Sequence, residues 1–335
     1  MKHLVIDISN LLFRVSAAHT AHNIIGTPEE QAGLAMHSAL ITLNSHYKQV
    51  KPDQVALSFE GPNNWRKAYT LSDACVSKRK YKGNRVKDAS MEPFFELIKS
   101  FEELVRNHSS IICLSNPVLE GDDLFAGYAQ YHTQRGDEVV GLSGDKDFIQ
   151  LLKLKNFTLL NPDKLGAQRN IDKKTGDVID PHFFMFEKAF RGDSGDNVMS
   201  AFPRVRSSRL KKAFTDEYER TNIMNHTWKF NEPATGEERE FRVGDLFEEN
   251  NLLMNLEAQP PHIREEIFKT VESAALSSGN FSLFHFQKFA GKHNLKKISE
   301  SAMQFVDLFS STGLKSPVRA EKAQLAESKR STLQF

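Results

Sequence analysis

The 335 residues carry 44 basic and 43 acidic side chains, a formal charge of +1, so any nucleic-acid surface has to be a local patch rather than a global field. With 39% hydrophobic and 26% charged residues, the composition is that of a folded globular protein, long enough for roughly two to three domains. Only two cysteines, Cys75 and Cys113, and no apolar run of membrane-spanning length exclude a disulfide-stapled module and a membrane role; with Asp7 interrupting the opening apolar run, a cytoplasmic location is expected.

In chain order, short β-rich runs are expected at His3 to Ile8, Gln54 to Phe59, Ser110 to Ser115, Glu138 to Leu142 and Phe157 to Leu160. Several are too apolar to have a wet face, as parallel strands usually are. Helical patterns at Glu29 to Lys48, Glu92 to His108 and Leu124 to Gln134 supply crossovers of βαβ length. The expected fold is α/β, a mixed, mostly parallel sheet flanked by helices over residues 1–190. Beyond it, helices are read at Arg204 to Phe214, Pro261 to Leu276, Phe281 to His293 and Ser299 to Phe309, with a polar hairpin between Thr227 and Val243. These predict a smaller helical domain over 191–309. The Phe-rich stretch Phe281, Phe284, Phe286 and Phe289 reads as core. From Ser310 the chain is polar and weakly basic, a flexible tail over 310–335.

Acidic residues recur where the candidate strands end. Asp7 closes the first, Glu60 follows the second, Glu120, Asp122 and Asp123 follow the third, and Asp145 and Asp147 the fourth; Asp193 and Asp196 lie beside glycines in a tight turn. Any one of them alone reads equally as an N-cap or turn residue. Together they predict a single crevice, because ligands of open α/β sheets collect outside the carboxyl ends of the strands. Nine acids in one pocket repel each other unless cations intervene, and an all-oxygen ligand set favours Mg²⁺ or Mn²⁺ over zinc. Two such ions suit phosphodiester cleavage by water.

The stretch 63–90 holds eight basic residues (Arg66, Lys67, Lys78, Arg79, Lys80, Lys82, Arg85, Lys87) against Asp73 and Asp88. It is either a solvated loop or a phosphate-holding segment over the same sheet edge, in which Trp65, Tyr69 and Tyr81 stack on unpaired bases. A second basic group, Arg204, Arg206, Arg209, Lys211 and Lys212, sits in a turn and helix after Asp196 and suits a duplex backbone.

The motifs Leu4-Val5-Ile6-Asp7 with Asn10, Phe59-Glu60-Gly61-Pro62-Asn63-Asn64-Trp65-Arg66, Tyr81-Lys82-Gly83-Asn84-Arg85, Glu120-Gly121-Asp122-Asp123, Gly144-Asp145-Lys146-Asp147-Phe148 and Gly192-Asp193-Ser194-Gly195-Asp196-Asn197 together resemble the flap endonuclease, or 5′ nuclease, family. The turn Phe202-Pro203-Arg204-Val205-Arg206-Ser207 and the stretch Glu248-Glu249-Asn250-Asn251-Leu252 resemble the ribonuclease H of T-even-like phages within that family, and the family resemblance covers residues 1 to 309. The resemblance implies a 5′-to-3′ exonuclease and flap endonuclease with ribonuclease H activity that removes RNA primers and 5′ flaps in phage lagging-strand replication. It implies two Mg²⁺: one held by Asp7, Glu60, Glu120, Asp122, Asp123 and Asp145, the other by Asp147, Asp193 and Asp196. Lys82 and Arg85, with Arg66 and Lys67 as weaker candidates, match a basic helical arch at about 63–90. Arg79, Lys80 and Tyr81 lie in the same arch. The turn at Arg204 and Arg206 matches a helix-turn-helix that grips duplex and, in many relatives, binds K⁺. Implied partners are 5′-flapped or nicked DNA and RNA–DNA hybrid, with a monomeric enzyme. Leu333-Gln334-Phe335 is a candidate docking peptide for a sliding clamp or single-strand-binding protein. Two other readings stay open from the residues: a PIN-like endoribonuclease on the same fold, and a non-catalytic flap- or junction-binding protein.

Overall fold

The computed structural model describes residues 1–21, 26–85, 88–172, 175–231, 236–277 and 279–310. The tail read from Ser310 onward, with its Leu333-Gln334-Phe335 end, therefore lies, beyond Ser310 itself, outside the described residues, as does Lys87. No helix among the described residues is long and apolar enough to cross a membrane.

Five strands, β1 (Lys2–Asp7), β2 (Gln54–Ser58), β3 (Ile112–Leu114), β4 (Glu138–Leu142) and β5 (Phe157–Leu160), form one sheet in the order β3-β2-β1-β4-β5. All neighbours run parallel, with Val5 opposite both Ala56 and Gly141. Leu4, Val5, Ile6, Val55, Ala56 and Leu57 are fully buried, which is why these runs lack the alternation of a half-wet strand. The order reverses between β1 and β4, so the crevice at their carboxyl ends lies at the topological switch point, between Asp7 and Asp145.

Helix α1 (Ile8–Ala21) follows β1 without a loop and was not foreseen; the strand reading ran one residue into it. Its stripe Ile8, Leu11, Leu12 and Val15 packs into the core, and the Asp7 carboxylate accepts the Asn10 N–H at 2.9 Å, capping its first turn. Helix α2 (Pro28–Val50) starts at a capping box in which Thr27 and Glu30 satisfy each other's backbone N–H groups. The basic segment forms only one short helix, α3 (Trp65–Thr70), and a 3₁₀ turn at Ala89–Met91 among its described residues, before α4 (Glu92–His108). Helix α5 (Gly121–Thr133) begins three residues earlier than its apolar pattern because Glu120 and Asp123 form a reciprocal cap.

After β5 come α6 (Pro181–Arg191), α7 (Ser207–Thr215) and α8 (Glu217–Met224), the hairpin β6 (Thr227–Asn231) and β7 (Glu238–Arg242), and α9 (Val243–Met254). These share a separate core around Phe190, Leu210, Ile223, Phe241 and Leu246. The remaining helices, α10 (Pro261–Ser277), α11 (Leu283–Lys292), α12 (Lys296–Glu300) and α13 (Val306–Phe309), return to the sheet rather than to that core. Ile263, Ile267 and Val271 of α10 pack with α5, and Phe286, Phe289, Phe305 and Phe309 pack with α2 and α4. The physical reason is exposed apolar surface: without them both faces of the sheet layer would be partly wet. Of the Phe-rich stretch, Phe286 and Phe289 are core, whereas Phe284 is exposed.

Candidate active site

The acids reach the crevice from five places: the ends of β1, β2 and β4, the start of α5 and the 193–197 turn. Asp7 ends β1 and is buried, one oxygen taken by the Asn10 N–H and the other by the Ser143 hydroxyl at 3.3 Å. Burial pushes its carboxyl up to about 7, the Asn10 hydrogen bond opposes this, and the charges of Asp145 and Glu60 add to it. Glu60 accepts the Gly121 N–H at 3.0 Å. Asp122, in the first turn of α5, is held well above the ordinary carboxylate range, first by burial and then by Asp7, Asp145 and Glu120. Asp145 follows β4 and accepts the Asp147 N–H at 2.8 Å. Asp193 is held by the bridge between residues 193 and 198 and by the Gly195 N–H at 2.9 Å.

Two ammonium groups stand among these acids. Lys82 contacts Glu120 and lies 3.8 Å from Glu60; Lys188 contacts Asp147 and lies 3.1 Å from Asp193. Burial would lower the Lys82 pKa, but Glu120 and Glu60 outweigh it and hold the ammonium firmly charged. Lys82 has a φ of 54°, an uncommon conformation for a side-chain-bearing residue, and its backbone N–H is tied to the Asp196 carbonyl at 2.8 Å. Asp147 is raised to about 6: burial leads, Lys188 pulls back, and Asp145 pushes up. At Asp193 the burial effect is outweighed by Lys188, which lowers its pKa. Asp196 accepts from Tyr81 Oη at 2.8 Å and Arg85 Nη2 at 2.6 Å. A cleft of about 530 Å³ opens beside Asn10, Asp145, Asp147, Lys188 and Asp193.

Asp123 does not join this group. It is fully buried, and its oxygens accept from Arg66 Nη1 and Nη2 (2.8 and 2.7 Å), Trp65 Nε1 (3.0 Å), Gln259 Nε2 (3.1 Å) and the Glu120 N–H (3.2 Å). Five donors leave no room for a metal ion, so the reading of Asp123 as a ligand is corrected. Arg66 is corrected with it: buried, bonded to Asp123, Glu120 and the Leu253 carbonyl, it is an internal anchor and not a phosphate contact. Trp65 and Tyr81 are likewise buried and donate to acids instead of offering ring faces to bases.

The rest of the basic segment closes onto the second half of the molecule. Asn197 Nδ2 donates to the Lys80 carbonyl, Asn84 Nδ2 to the Ser194 carbonyl, and the Val76 and Ser77 N–H groups to buried Glu249 on α9. Lys67, Lys80 and Arg85 remain exposed, and the Arg79 guanidinium lies over the Phe230 ring at 5.0 Å. Arg204, Arg206, Arg209, Lys211 and Lys212 are all exposed, with Arg209 and Lys212 paired to Glu219. In the preceding turn, the Met199 and Ala201 carbonyls accept from Asn250 Nδ2 at 2.8 Å and Trp228 Nε1 at 2.9 Å.

Sequence reasoning missed Lys188, Ser143, Gln259 and Arg169, which donates to the Ser143 and Asp145 carbonyls at 2.8 and 2.6 Å. Only Lys188 had a legible signal, a lysine one turn before Gly192-Asp193 at the end of a helix.

No three of the crevice carboxylates, among the described residues, bring donor oxygens within 4.8 Å of one another; the lysines lie between them. The donor set nevertheless fits divalent cations. It is all oxygen, Asp7 and Asp122 within it resist ionisation, and the two ammonium groups occupy positions of positive charge.

Residues 2–181 match the family described as the 5′-3′ exonuclease, N-terminal resolvase-like domain. The chain is 28% identical over 201 residues to a 5′-3′ exonuclease of Aquifex aeolicus, a match covering 58% of this chain and 64% of that protein. It is 29% identical over 229 residues to a 5′-3′ exonuclease of Buchnera aphidicola, covering 66% of this chain and 71% of the relative. The fold is also that of the bacteriophage T5 flap endonuclease crystallised with DNA and metal ions, with a TM-score of 0.56 and 18% identity, covering 82% of this chain and all of that one.

Proposed function

The chain belongs to the family of the 5′-3′ exonuclease N-terminal, resolvase-like domain, and from that premise we propose that it is a divalent-metal-dependent 5′ nuclease acting on 5′-flapped or nicked duplex DNA and on RNA–DNA hybrid. The observation that carries the reading is the convergence of carboxylates from β1, β2, α5, β4 and the 193–197 turn at the sheet's switch point, with cationic groups set between them. The phage flap endonuclease of the same fold was crystallised with metal ions and DNA, which supports both the cofactor and the substrate class.

In this reading Asp7, Glu60, Glu120, Asp122 and Asp145 hold one cation, and Asp147, Asp193 and Asp196 a second; Mg²⁺ is the ion their oxygen donors suit. When bound, such cations lower the barrier to water attack on phosphorus and take up charge from the leaving oxygen. The chain's own groups do the rest. Lys82 and Arg85 face the scissile phosphate and neutralise its non-bridging oxygens, moving off Glu120 and Asp196 to do so. Buried Asp123 and Arg66 fix the start of α5, and with it the positions of Glu120 and Asp122. Water adds to phosphorus, the bond to the 3′ oxygen breaks, and that oxygen leaves with a proton, giving 5′-phosphate and 3′-hydroxyl ends. Arg204, Arg206 and Lys211 lie on the exposed side of the turn and α7, where duplex phosphates are reached. Primer and flap removal during replication is the role this activity fits.

Cleavage of a duplex with a labelled 5′ flap, compared with a matched 3′ flap and with EDTA in place of Mg²⁺, tests the proposal. Metal-dependent cutting confined to the 5′ flap is the expected result. A flap bound but uncut under Mg²⁺ and Mn²⁺ refutes catalysis, and cutting of single-stranded RNA alone would replace the reading by an endoribonuclease.

A further inference from the structure

At the opposite end of the same strands, a cluster unrelated to the acidic crevice joins the starts of β1 and β4 to the last turn of α5. His3 lies in β1, His132 in α5, and Asp137 directly precedes β4. Asp137 Oδ2 is 3.3 Å from His3 Nε2 and 3.2 Å from His132 Nδ1. The two imidazole rings are 3.9 Å apart between centroids, tilted by 31°. Each of the three residues offers a donor atom such that all three atoms lie within 4.8 Å of one another, a compactness the crevice carboxylates lack among the described residues.

Hydrogen bonding alone leaves this cluster unfinished. His3 and His132 are 1% and 8% exposed, yet His3 Nε2 and His132 Nε2 have no hydrogen-bond partner, and a buried polar atom without one is costly. The His3 Nε2 to Asp137 contact is short enough for a hydrogen bond but lacks the alignment of one. Spacings of 3.2 and 3.3 Å are, however, close to the ligand-to-ligand edge of about 3.3 Å in a tetrahedron with metal bonds of about 2.0–2.1 Å. The other ring nitrogen of His3 is already fixed, with Tyr128 Oη 2.8 Å from Nδ1. A hydroxyl oxygen that takes the Nδ1 proton leaves the Nε2 lone pair facing Asp137, the arrangement that orients metal-bound imidazoles elsewhere.

We propose that His3, His132 and Asp137 bind a zinc-type divalent ion through His3 Nε2, His132 Nδ1 and Asp137 Oδ2, at a structural site separate from the nuclease centre. Two nitrogens and one carboxylate select Zn²⁺-like ions over Mg²⁺, whereas the crevice selects the reverse, so the two sites need not compete. Burial lowers the His3 pKa to about 3 and also lowers that of His132, so both rings are neutral near pH 7, as ligation requires. The charged neighbours are the Met1 amino group, 2.7 Å from Asp137 Oδ1, and Arg135, stacked on Tyr131 at 3.4 Å. The amino group holds the carboxylate's other oxygen and leaves Oδ2 to the imidazoles. An ion here ties together the starting ends of the two strands whose far ends carry Asp7 and precede Asp145.

The test is cobalt titration of the chelator-treated full chain, with excess Mg²⁺ present to occupy the oxygen-only crevice. The expected result is one equivalent of Co²⁺ giving the intense visible absorption of a tetrahedral nitrogen-containing site, displaced by Zn²⁺, with Zn²⁺ raising the Tm. His132→Gln and Asp137→Asn should each weaken Co²⁺ binding at least tenfold while flap cleavage in Mg²⁺ stays unchanged. Absence of the intense band in the unmodified chain overturns the proposal regardless of how the variants fold. An equal band in the folded His132→Gln variant overturns it as well.

Discussion

Asp122 and Asp123 are neighbours in one helical turn, yet they belong to regions with opposite electrostatics. Asp123 faces inward onto Arg66: burial acts to raise its pKa, but the guanidinium wins and holds the carboxyl below its usual range. Asp122 faces the crevice, where burial is joined by Asp7, Asp145 and Glu120, and it is driven far above that range. A rotation of about 100° along a helix separates a saturated ion pair from a site short of positive charge. The first arrangement holds the fold together; the second is suited to taking up cations.

The largest effects should break this pair apart. Asp122→Asn removes a repelled charge, so it should abolish metal-dependent cleavage, by on the order of a thousandfold or more, while leaving the metal-free protein at least as stable. Asp123→Asn should do the converse at the level of folding. It strips Arg66 of its main counter-charge and should cost about 3–5 kcal/mol in urea unfolding. The pH dependence carries the sign. A depressed folded pKa gives stability that is present above the unfolded carboxylate value and lost as pH falls through the folded one. The native chain should therefore lose this contribution only on acidification below about pH 4, and the Asn variant should lack that part of the acid transition. Equal stability of both variants across pH would erase the distinction.

A smaller effect separates the two lysines. Lys188 competes with cations for Asp147 and Asp193, so Lys188→Met should lower the Mg²⁺ concentration needed for half-maximal cleavage, by about tenfold or more. Lys82→Met should instead slow single-turnover cleavage at saturating Mg²⁺, by about ten- to a hundredfold, because its ammonium is assigned to the phosphate. A variant pair with identical metal titrations and rates would show that the two ammonium groups are interchangeable.

The sheet and many helices were legible because they rest on local patterns: short runs with an apolar centre, and caps such as Thr27 with Glu30. So was the convergence of acids, which follows from strand ends and chain direction. What stayed hidden was side-chain partnership across distance. Arg66 reads in sequence as one of eight basic residues in a polar stretch, and nothing local says that Asp123, 57 residues later, will draw it into the core. Trp65 and Tyr81 were misread for the same reason. For Lys188 the one local signal is its place a turn before Gly192-Asp193, and a lone lysine on an amphipathic helix carries no wider pattern. The return of α10 to the sheet was equally invisible, since an apolar stripe shows that a helix is buried and not against what.

That return leaves its own small signature, and it yields the mildest prediction. Gly127 lies on the face of α5 that meets α10, where an added Cβ would stand 2.1 Å from Ile267 Cγ2. A methyl group there cannot be absorbed without moving Ile267, a buried side chain in the same core as Val271 and Leu124. Gly127→Ala gains helix propensity worth about 1 kcal/mol but overpacks a tight contact, which usually costs about 1–3 kcal/mol. The net expectation is a modest loss in urea unfolding. Ile267→Ala removes Cγ2 from the same contact, so the overpacking cost of Gly127→Ala should shrink in the double variant, an interaction term that a double-mutant cycle measures directly. Flap cleavage per folded molecule should be unaffected, because the contact lies behind α5 and not in the crevice. If the two substitutions were strictly additive, α5 and α10 would not be packed through this pair, and the assignment of the last helices to the sheet core would lose its most specific support.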